Sequence, residues 1–298
     1  MSNLPAHCVF AVFGLWLATA AWSSEIVATD DRGRELTLPF PARTVVTLAP
    51  SIAELVHAAG AGARLVGVAR YSDYPPEVKK VAQIGDSSRV DLERVLSLKP
   101  DLIVGWKTGN QAADIERLEQ LGFRVFVIEP DTLAAIPRLL RMLGRLAGTE
   151  TAASRAAQAF EDGVHALRAR YGTRPAVRVF YEIWHMPLLT VNGSHMINDV
   201  IHLCGGSNIF AAVPALTPLV SLESVIAAHP QVVLGGSSAT TPPQFAAQWQ
   251  RYENFSGLRN VKAMYVDPDH IQRQTPRILQ GARTVCEHLE SVRANRRP

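Results

Sequence analysis

The sequence contains one fifteen-residue pattern twice, 130 positions apart. LERVLSLKPDLIVGW begins at Leu92 and LESVIAAHPQVVLGG begins at Leu222, with a Glu in second place in each copy. A second pair of similar stretches precedes these copies in the same order, because IAELVHAAG (residues 52–60) is echoed by INDVIHLCG (residues 197–205). Two echoes in the same order predict a protein built from two related lobes.

Short β-branched runs alternate with apolar-periodic stretches in both halves of the chain. We expect strands at residues 44–48, 65–68, 101–105, 123–128, 177–182 and 264–266. Helix starts are expected near Asp91, Gln111 and Thr132, and residues 51–54 have the pattern of a capping box ahead of a helix that ends at Gly60. Such alternation predicts an α/β fold with mainly parallel sheets.

One long helix is expected between the lobes, at residues 149–171. This stretch is rich in Ala, Arg, Gln and Glu and contains no Pro, with Gly163 as its weak point. At 1.5 Å per residue it is about 33 Å long. It divides the chain into a first lobe at residues 25–148 and a second at residues 172–298, with a cleft for a ligand between them.

The N-terminal segment has the pattern of a secretory signal, which we place at residues 1–24. An apolar run from Cys8 to Trp22 is shorter than the roughly 20 residues of a membrane span and is followed by small residues. Removal of the signal leaves Cys204 and Cys286 as an even pair in an oxidising compartment. These two cysteines either form a disulfide or are separately buried thiols.

Composition and motifs exclude several classes of function. The net charge of +3 is too small, and Lys and Arg too scattered, for a nucleic-acid surface. The sequence contains no G-x-S-x-G motif, H-E-x-x-H motif or phosphate loop. A secreted hydrolase or metalloenzyme would have to use His185, Asp269 and His270. An enzyme needs a nucleophile or base with an orienting partner, and the sequence shows none. We therefore expect a protein that is not an enzyme and that has no cofactor.

Aromatic and polar residues follow the expected strands at the edge where parallel α/β sheets bind ligands. Thr275 and Pro276 have the pattern of a helix start, which makes residues 269–273 a loop between a strand and a helix. This mixture of side chains fits a planar, partly apolar ligand. The candidate ligand-binding residues are Tyr71, Trp106, Trp184, His185, Asp269, His270, Ile271, Gln272 and Arg273.

The repeated Glu of the opening pattern has a predicted role of its own. Asp91 and Ser221 suit helix N-caps, which places Glu93 and Glu223 in the first turns of matching helices, one in each lobe. Acidic residues are favourable at any helix N-terminus. A pair on the rim of a two-lobed face is also suited to two arginines of a symmetric, dimeric partner.

Residues 43–292 resemble the periplasmic substrate-binding proteins of cobalamin (vitamin B12) ABC importers, within a larger class that also carries haem and iron-siderophores. The motifs that carry the resemblance are YSDYPP, LERVLSLKPDLIVGW, LCGGSNIF, VSLESV and TPRIL. The resemblance implies a class III periplasmic binding protein, with two Rossmann-like lobes joined by a backbone helix. We therefore expect a monomer in the periplasm that binds cobalamin or another corrinoid.

The resemblance also implies roles for individual residues. It implies corrinoid contacts at Tyr71 and residues 269–273, an aromatic wall at Trp106, and a disulfide between Cys204 and Cys286. Glu93 and Glu223 match the acids that dock on arginines of the permease dimer in the inner membrane.

The chain departs from the best-known member of that family at three aromatic positions. That protein has Trp where this chain has Ser87-Ser88, Thr217 and His270. Trp184, His185 or Met186 would have to fill the space that is left. A haem or iron-siderophore carrier, with Tyr71 or His270 as the ligand to iron, is the alternative function.

Overall fold

A computed structural model describes residues 25–86 and 89–295. The expected signal segment at residues 1–24 and the departure at Ser87-Ser88 lie outside the described residues. No helix in the described ranges is long and apolar enough to cross a membrane.

The first lobe is built on a parallel sheet, as the alternation of strands and helices predicts. Its central sheet has the order β5-β4-β3-β8-β9, with every pair parallel, and β1-β2 and β6-β7 form separate antiparallel pairs. The strands are β1 (Ile26–Thr29), β2 (Glu35–Leu38), β3 (Val45–Thr47), β4 (Leu65–Val68), β5 (Ala82–Gln83), β6 (Gly85–Asp86), β7 (Arg89–Val90), β8 (Leu102–Trp106) and β9 (Val125–Ile128). The helices are α1 (Pro50–Val56), α2 (Leu92–Leu98), α3 (Ala112–Gln120) and α4 (Ala135–Ala147).

The second lobe repeats this architecture with a smaller parallel sheet in the order β11-β10-β12-β13. After the connecting helix α5 (Glu150–Tyr171), its elements are β10 (Val177–Glu182), α6 (Met196–Leu203), β11 (Gly206–Asn208), α7 (Leu222–Ala227), β12 (Val232–Gly235), α8 (Pro242–Gln250), β13 (Lys262–Tyr265), α9 (Pro268–Ile271) and α10 (Ile278–Ala294). Asp91 and Ser221 cap the matching helices α2 and α7, as predicted, by accepting the backbone N–H three residues further on.

Helix α5 packs against both lobes. Its buried face carries Ala153, Ala157, Phe160 and Leu167, which belong to one apolar core that continues from the first lobe into the second. Gly163 has a packing role, because a Cβ atom there would lie 2.6 Å from Cδ1 of Leu279 on α10. The lobes are therefore joined by shared core packing as well as by the chain.

The predicted capping box at residues 51–54 is wrong. Helix α1 begins at Pro50, its N-cap Ala49 makes no side-chain cap, and Ser51 is buried inside the first turn. Pro at the first helical position has a φ already suited to a helix, so the helix starts before Ser51. The carboxylate of Glu54 is thereby left for partners outside α1.

Two other helix boundaries differ from the sequence predictions. Helix α4 begins at Ala135 rather than near Thr132, and α10 begins at Ile278 rather than after Thr275. The Thr275 hydroxyl accepts the N–H of Arg277, and this local turn precedes the helix. The expected loop at residues 269–273 includes most of the short helix α9, whose cap is Asp267.

A disulfide joins Cys204, at the end of α6, to Cys286 in α10. Both residues are fully buried, so the bond lies in the core of the second lobe and links elements 82 positions apart. The pairing implied by the family resemblance is confirmed, and the alternative of two separate thiols is wrong.

We expect the double substitution Cys204→Ala with Cys286→Ala to lower the free energy of unfolding by about 2–4 kcal/mol, because the crosslink restricts the unfolded chain. Urea unfolding of the mature protein measures the change. Reductant is expected to destabilise the unaltered protein and to leave the double variant unaffected. Equal unfolding midpoints for the two proteins would contradict the stabilising role.

Candidate interlobe binding site

A cavity of about 230 Å³ lies between the two lobes and is partly open to solvent. Pockets for drug-sized ligands span about 300–1,000 Å³, so a larger ligand has to extend from this enclosed part over the open mouth of the cleft. The first lobe contributes Trp106, Glu129 and Asp131 to the lining, and the second lobe contributes His195, Thr217 and Gln274.

Trp106 forms a wall of the cavity, at the carboxyl end of β8. Its indole N–H donates to Glu129 Oε1 at 3.0 Å, and Glu129 also accepts the backbone N–H and the hydroxyl of Thr108. The backbone N–H of Trp106 donates to Asn110 Oδ1 at 2.7 Å. These bonds hold the ring in one orientation where it lines the cavity.

The cavity is acidic. Glu129 and Asp131 line it, and none of its lining residues in the described part of the chain is Lys or Arg. Such a lining favours ligand groups that donate hydrogen bonds and disfavours ligand carboxylates.

His195 adds a neutral donor to the same cavity. Its Nδ1 accepts the N–H of Ile197 at 3.1 Å and so caps helix α6. Burial lowers the pKa of His195 to about 4, so the imidazole is neutral at neutral pH. Because Nδ1 accepts a hydrogen bond, the ring proton is on Nε2, which can donate to a carbonyl oxygen.

Trp184, Met186 and Leu219 form an exposed apolar rim on the second lobe, with exposed fractions of 47%, 79% and 68%. Bridges from Leu189 to Trp184 and to Leu219 hold this rim together, and the Trp184 indole N–H donates to the Met186 carbonyl oxygen at 2.8 Å. His185 lies beside the rim, with Nδ1 at 3.3 Å from Glu182 Oε2.

The other predicted contacts are not brought together in the enclosed cavity. Tyr71 is 71% exposed, and Ile271 is 1% exposed and packs in the core, so the Ile271 side chain is not open to a ligand. Gln272 donates to the Gly236 carbonyl oxygen at 3.1 Å, and His270 lies 3.8 Å from Asp267. The side chains of residues 269–273 therefore have different surroundings. Ile271 packs in the core, Gln272 bonds to the second lobe, and Arg273 reaches the first lobe.

A cluster of ionic groups joins the lobes beside the cleft; we call Glu54, Asp73, Asp269, Arg273 and Arg277 the Glu54 cluster. Glu54, with a side chain 3% exposed, accepts from Arg273 at 2.8 Å and from Arg277 at 2.7 and 2.9 Å. Arg273 also contacts Asp73 at 2.6 Å and Asp269 at 3.1 Å.

The Glu54 cluster keeps Arg273 in its charged state. Burial opposes the charge of Arg273, but the hydrogen bonds that it donates to Asp73 and Glu54 raise its pKa. Arg277 in addition lies over the ring of Tyr74, with 4.0 Å from Cζ to the ring centroid. Arg273, predicted as a ligand contact, thus has three carboxylate partners, two of them in the other lobe.

Glu93 and Glu223 are exposed in the first turns of α2 and α7. The pKa of Glu223 is lowered by its own backbone N–H and by the Ser221 hydroxyl, which keeps this carboxylate charged. The repeated motif therefore gives each lobe one exposed acid at an equivalent position.

Residues 45–269 match the model of the periplasmic binding protein family. The chain belongs to that family. A vitamin B12-binding protein of Vibrio parahaemolyticus is 35% identical over 256 residues, which are 86% of this chain and 92% of that protein. The crystal structure of the periplasmic vitamin B12 binding protein BtuF of Vibrio cholerae has a TM-score of 0.78 at 33% identity and covers 86% of this chain and 99% of that chain.

More distant solved structures share the fold. The periplasmic heme binding protein HutB of Vibrio cholerae has a TM-score of 0.70 at 20% identity and covers 83% of this chain and 98% of that chain. The molybdate periplasmic binding protein MolA of Haemophilus influenzae has a TM-score of 0.77 at 20% identity and covers 90% of this chain and 92% of that chain. The expected class III fold is confirmed, and at this identity the fold itself does not select a ligand.

Sequence reasoning missed Glu129, Asp131 and His195. The first two follow β9 directly, in the way that Trp106 ends β8, so the carboxyl-end rule that found Trp106 would also have found them. His195 gave no such signal, because it lies in the loop ahead of α6, far along the chain from the end of β10. Thr217, where the best-known relative has Trp, does line the cavity.

We expect Glu54→Gln to lower the free energy of unfolding by about 3 kcal/mol, because it removes the charge that faces two partly buried arginines. Glu161→Gln is the control, since Glu161 forms a bidentate pair with Arg141 on the exposed surfaces of α4 and α5. That change is expected to have little effect. Urea unfolding compares the two variants, and equal midpoints would show that the Glu54 cluster does not join the lobes energetically.

Proposed function

We propose that this protein is a periplasmic substrate-binding protein that captures cobalamin or a related corrinoid between its lobes. It delivers the ligand, chemically unchanged, to an ABC permease dimer in the inner membrane. The vitamin B12-binding relatives at 33–35% identity support this function. The observation in the protein itself that carries the choice of ligand is the acidic interlobe cavity, with its tryptophan wall and its neutral imidazole donor.

The lining matches the periphery of a corrinoid, which carries several neutral amide groups. Amide N–H groups can donate to Glu129 and Asp131, and an amide oxygen can accept from Nε2 of His195. Trp106 packs against the flat apolar part of the ligand. The enclosed cavity takes one edge of the macrocycle, and the remainder lies along the rim.

Tyr71, Trp184, His185, Asp269, His270, Gln272 and Arg273 are proposed contacts around the mouth. Trp184 and Met186 supply the exposed apolar surface that replaces the aromatic side chains absent at Thr217 and His270. Ile271 supports this segment from the core. The ligand thus contacts polar side chains of the protein inside the cleft and apolar side chains at its mouth.

The alternative, a carrier of haem or of an iron-siderophore, is less well supported by the lining. Haem carries two propionates, which Glu129 and Asp131 would repel without a compensating Lys or Arg among the lining residues described. Tyr71 and His270, the candidate ligands to iron, are not among the residues that line the enclosed cavity.

The hydrolase or metalloenzyme hypothesis has no assembled site to support it. His185 pairs with Glu182, whereas His270 and Asp269 contact Asp267 and Arg273. We therefore propose a binding protein without catalytic activity or resident cofactor, exported by the signal at residues 1–24 and working as a monomer.

Calorimetric titration of the mature protein with cobalamin, cobinamide and haem tests the ligand. We expect both corrinoids to bind and haem to bind more weakly. Asp131→Arg should shift the preference from cobalamin towards haem by about tenfold, the equivalent of one charge-assisted hydrogen bond. Glu116→Arg makes the same charge change on the exposed face of α3 and is the control. Tight haem binding with no heat from either corrinoid would establish the alternative.

The docking role of the acids is tested with the double variant Glu93→Ala and Glu223→Ala. Corrinoid affinity should be unchanged, because both side chains are exposed outside the cavity lining. Uptake of labelled cobalamin should be lost in cells that depend on this protein and its permease. Glu116→Ala with Glu253→Ala removes two other exposed acids and should leave uptake intact. Normal uptake in the first double variant would exclude the proposed docking.

A further inference from the structure

A second recess of about 230 Å³ lies at the carboxyl ends of β10 and β12, on the second lobe. We call it the His185 recess. It is lined by Glu182, Trp184, His185, Met186, Ser237 and Gln248, among others. The exposed side chains of Trp184 and Met186 form one side of it, and the function proposed above places the outer part of the ligand along this rim.

His185 is held in one orientation by two buried groups. Its Nδ1 faces Oε2 of Glu182 at 3.3 Å, and the same oxygen accepts the indole N–H of Trp249 at 2.6 Å. The ring also packs edge to face on Trp249, with 6.3 Å between centroids and planes at 78°. The Glu182 side chain is only 6% exposed, whereas that of His185 is 27% exposed.

The other ring nitrogen of His185, Nε2, has a different environment. Nδ1 is bonded to a carboxylate, and Nε2 has no hydrogen-bond partner among residues 25–86 and 89–295, while the side chain remains partly open to the recess. A carboxylate on one imidazole nitrogen fixes the tautomer and raises the basicity of the other nitrogen. This is the arrangement found at histidines that bind metals.

We propose that His185 is an axial ligand to the cobalt of a bound corrinoid that has an exchangeable axial position, and that Glu182 is its positioning residue. The proposal rests on the corrinoid function proposed above. It names the ligand class more closely, as a corrinoid whose cobalt carries water on the face turned towards the second lobe.

One histidine is sufficient for this role because the macrocycle already holds its metal. No group of three or more His, Cys, Asp or Glu residues among those described could hold a free metal ion. The other histidine of the mouth is less well placed, because His270 lies 3.8 Å from Asp267, whose side chain is 50% exposed. Of these two carboxylates, that of Glu182 is the more deeply buried, with a side chain 6% exposed, and is better suited to keep an imidazole in a fixed direction.

The binding step is a ligand substitution at cobalt. The lone pair on Nε2 of His185 forms the new cobalt–nitrogen bond, and the cobalt–oxygen bond breaks to release one neutral water molecule. The proton stays on Nδ1, where it is donated to Glu182. The oxidation state of cobalt and the total charge do not change.

The test is the visible absorption spectrum of diaquocobinamide, a corrinoid without the nucleotide base, on addition of the mature protein. Exchange of an axial water for imidazole shifts the absorption bands, so the unaltered protein should produce the shift. His185→Ala and His185→Gln should abolish it, and Glu182→Gln should weaken cobinamide binding about tenfold while keeping the shift. His165→Ala, which removes an exposed histidine from α5, is the control and should keep it.

Cyanocobalamin, in which both axial positions are filled, separates this inference from the proposed function. The unaltered protein should bind it without a change in its bands. Binding of both corrinoids with no shift from diaquocobinamide would overturn the role of His185 and leave the corrinoid function standing. Circular dichroism shows whether the His185→Ala and His185→Gln variants are folded. A shift that survives in the folded variants would show that another side chain, for example His270, is the axial ligand to cobalt. Failure of both corrinoids to bind would overturn the proposed function and the inference with it.

Discussion

The pairing of one buried carboxylate with two arginines determines how the two lobes sit against each other. Glu54 belongs to α1 of the first lobe, and its partners Arg273 and Arg277 precede α10 in the second lobe, 219 and 223 positions away along the chain. Removing these charges from water is costly unless all of them are paired, so the cluster favours the arrangement in which the lobes meet. The shared core around α5 also joins the two lobes.

The chemistry of the cleft follows from the direction of its strands. Parallel strands place their carboxyl ends on one edge of each sheet, so Trp106 and Glu129 reach the cavity from β8 and β9, and Glu182 reaches the His185 recess from β10. Carboxylates and a neutral imidazole are suited to hydrogen bonds with amide groups, and the tryptophan wall and the exposed rim provide apolar surface. A flat ligand with a neutral polar edge satisfies both parts of the site, whereas a dicarboxylate satisfies only the apolar part.

The sequence predicted those features that depend on local patterns. Strands β4 and β10 have the predicted bounds, and the caps Asp91 and Ser221 were found because the side chain and its backbone partner lie three residues apart. The Glu54 cluster could not be predicted in this way, because Glu54 had a plausible local role and its true partners lie more than 200 positions away. Ile271 shows the same limit, since a residue between polar neighbours gave no sign that its side chain turns into the core.

The central claim is that a preformed cleft, held by the Glu54 cluster, receives the edge of a corrinoid. A crystal structure of the mature protein with cyanocobalamin tests it most directly. We expect the macrocycle between the lobes, packed on Trp106 with amide groups at Glu129 and His195, and Glu54 still bonded to both arginines. A ligand bound outside the cleft, or bound only after the bonds of Glu54 to Arg273 and Arg277 have been broken, would contradict it.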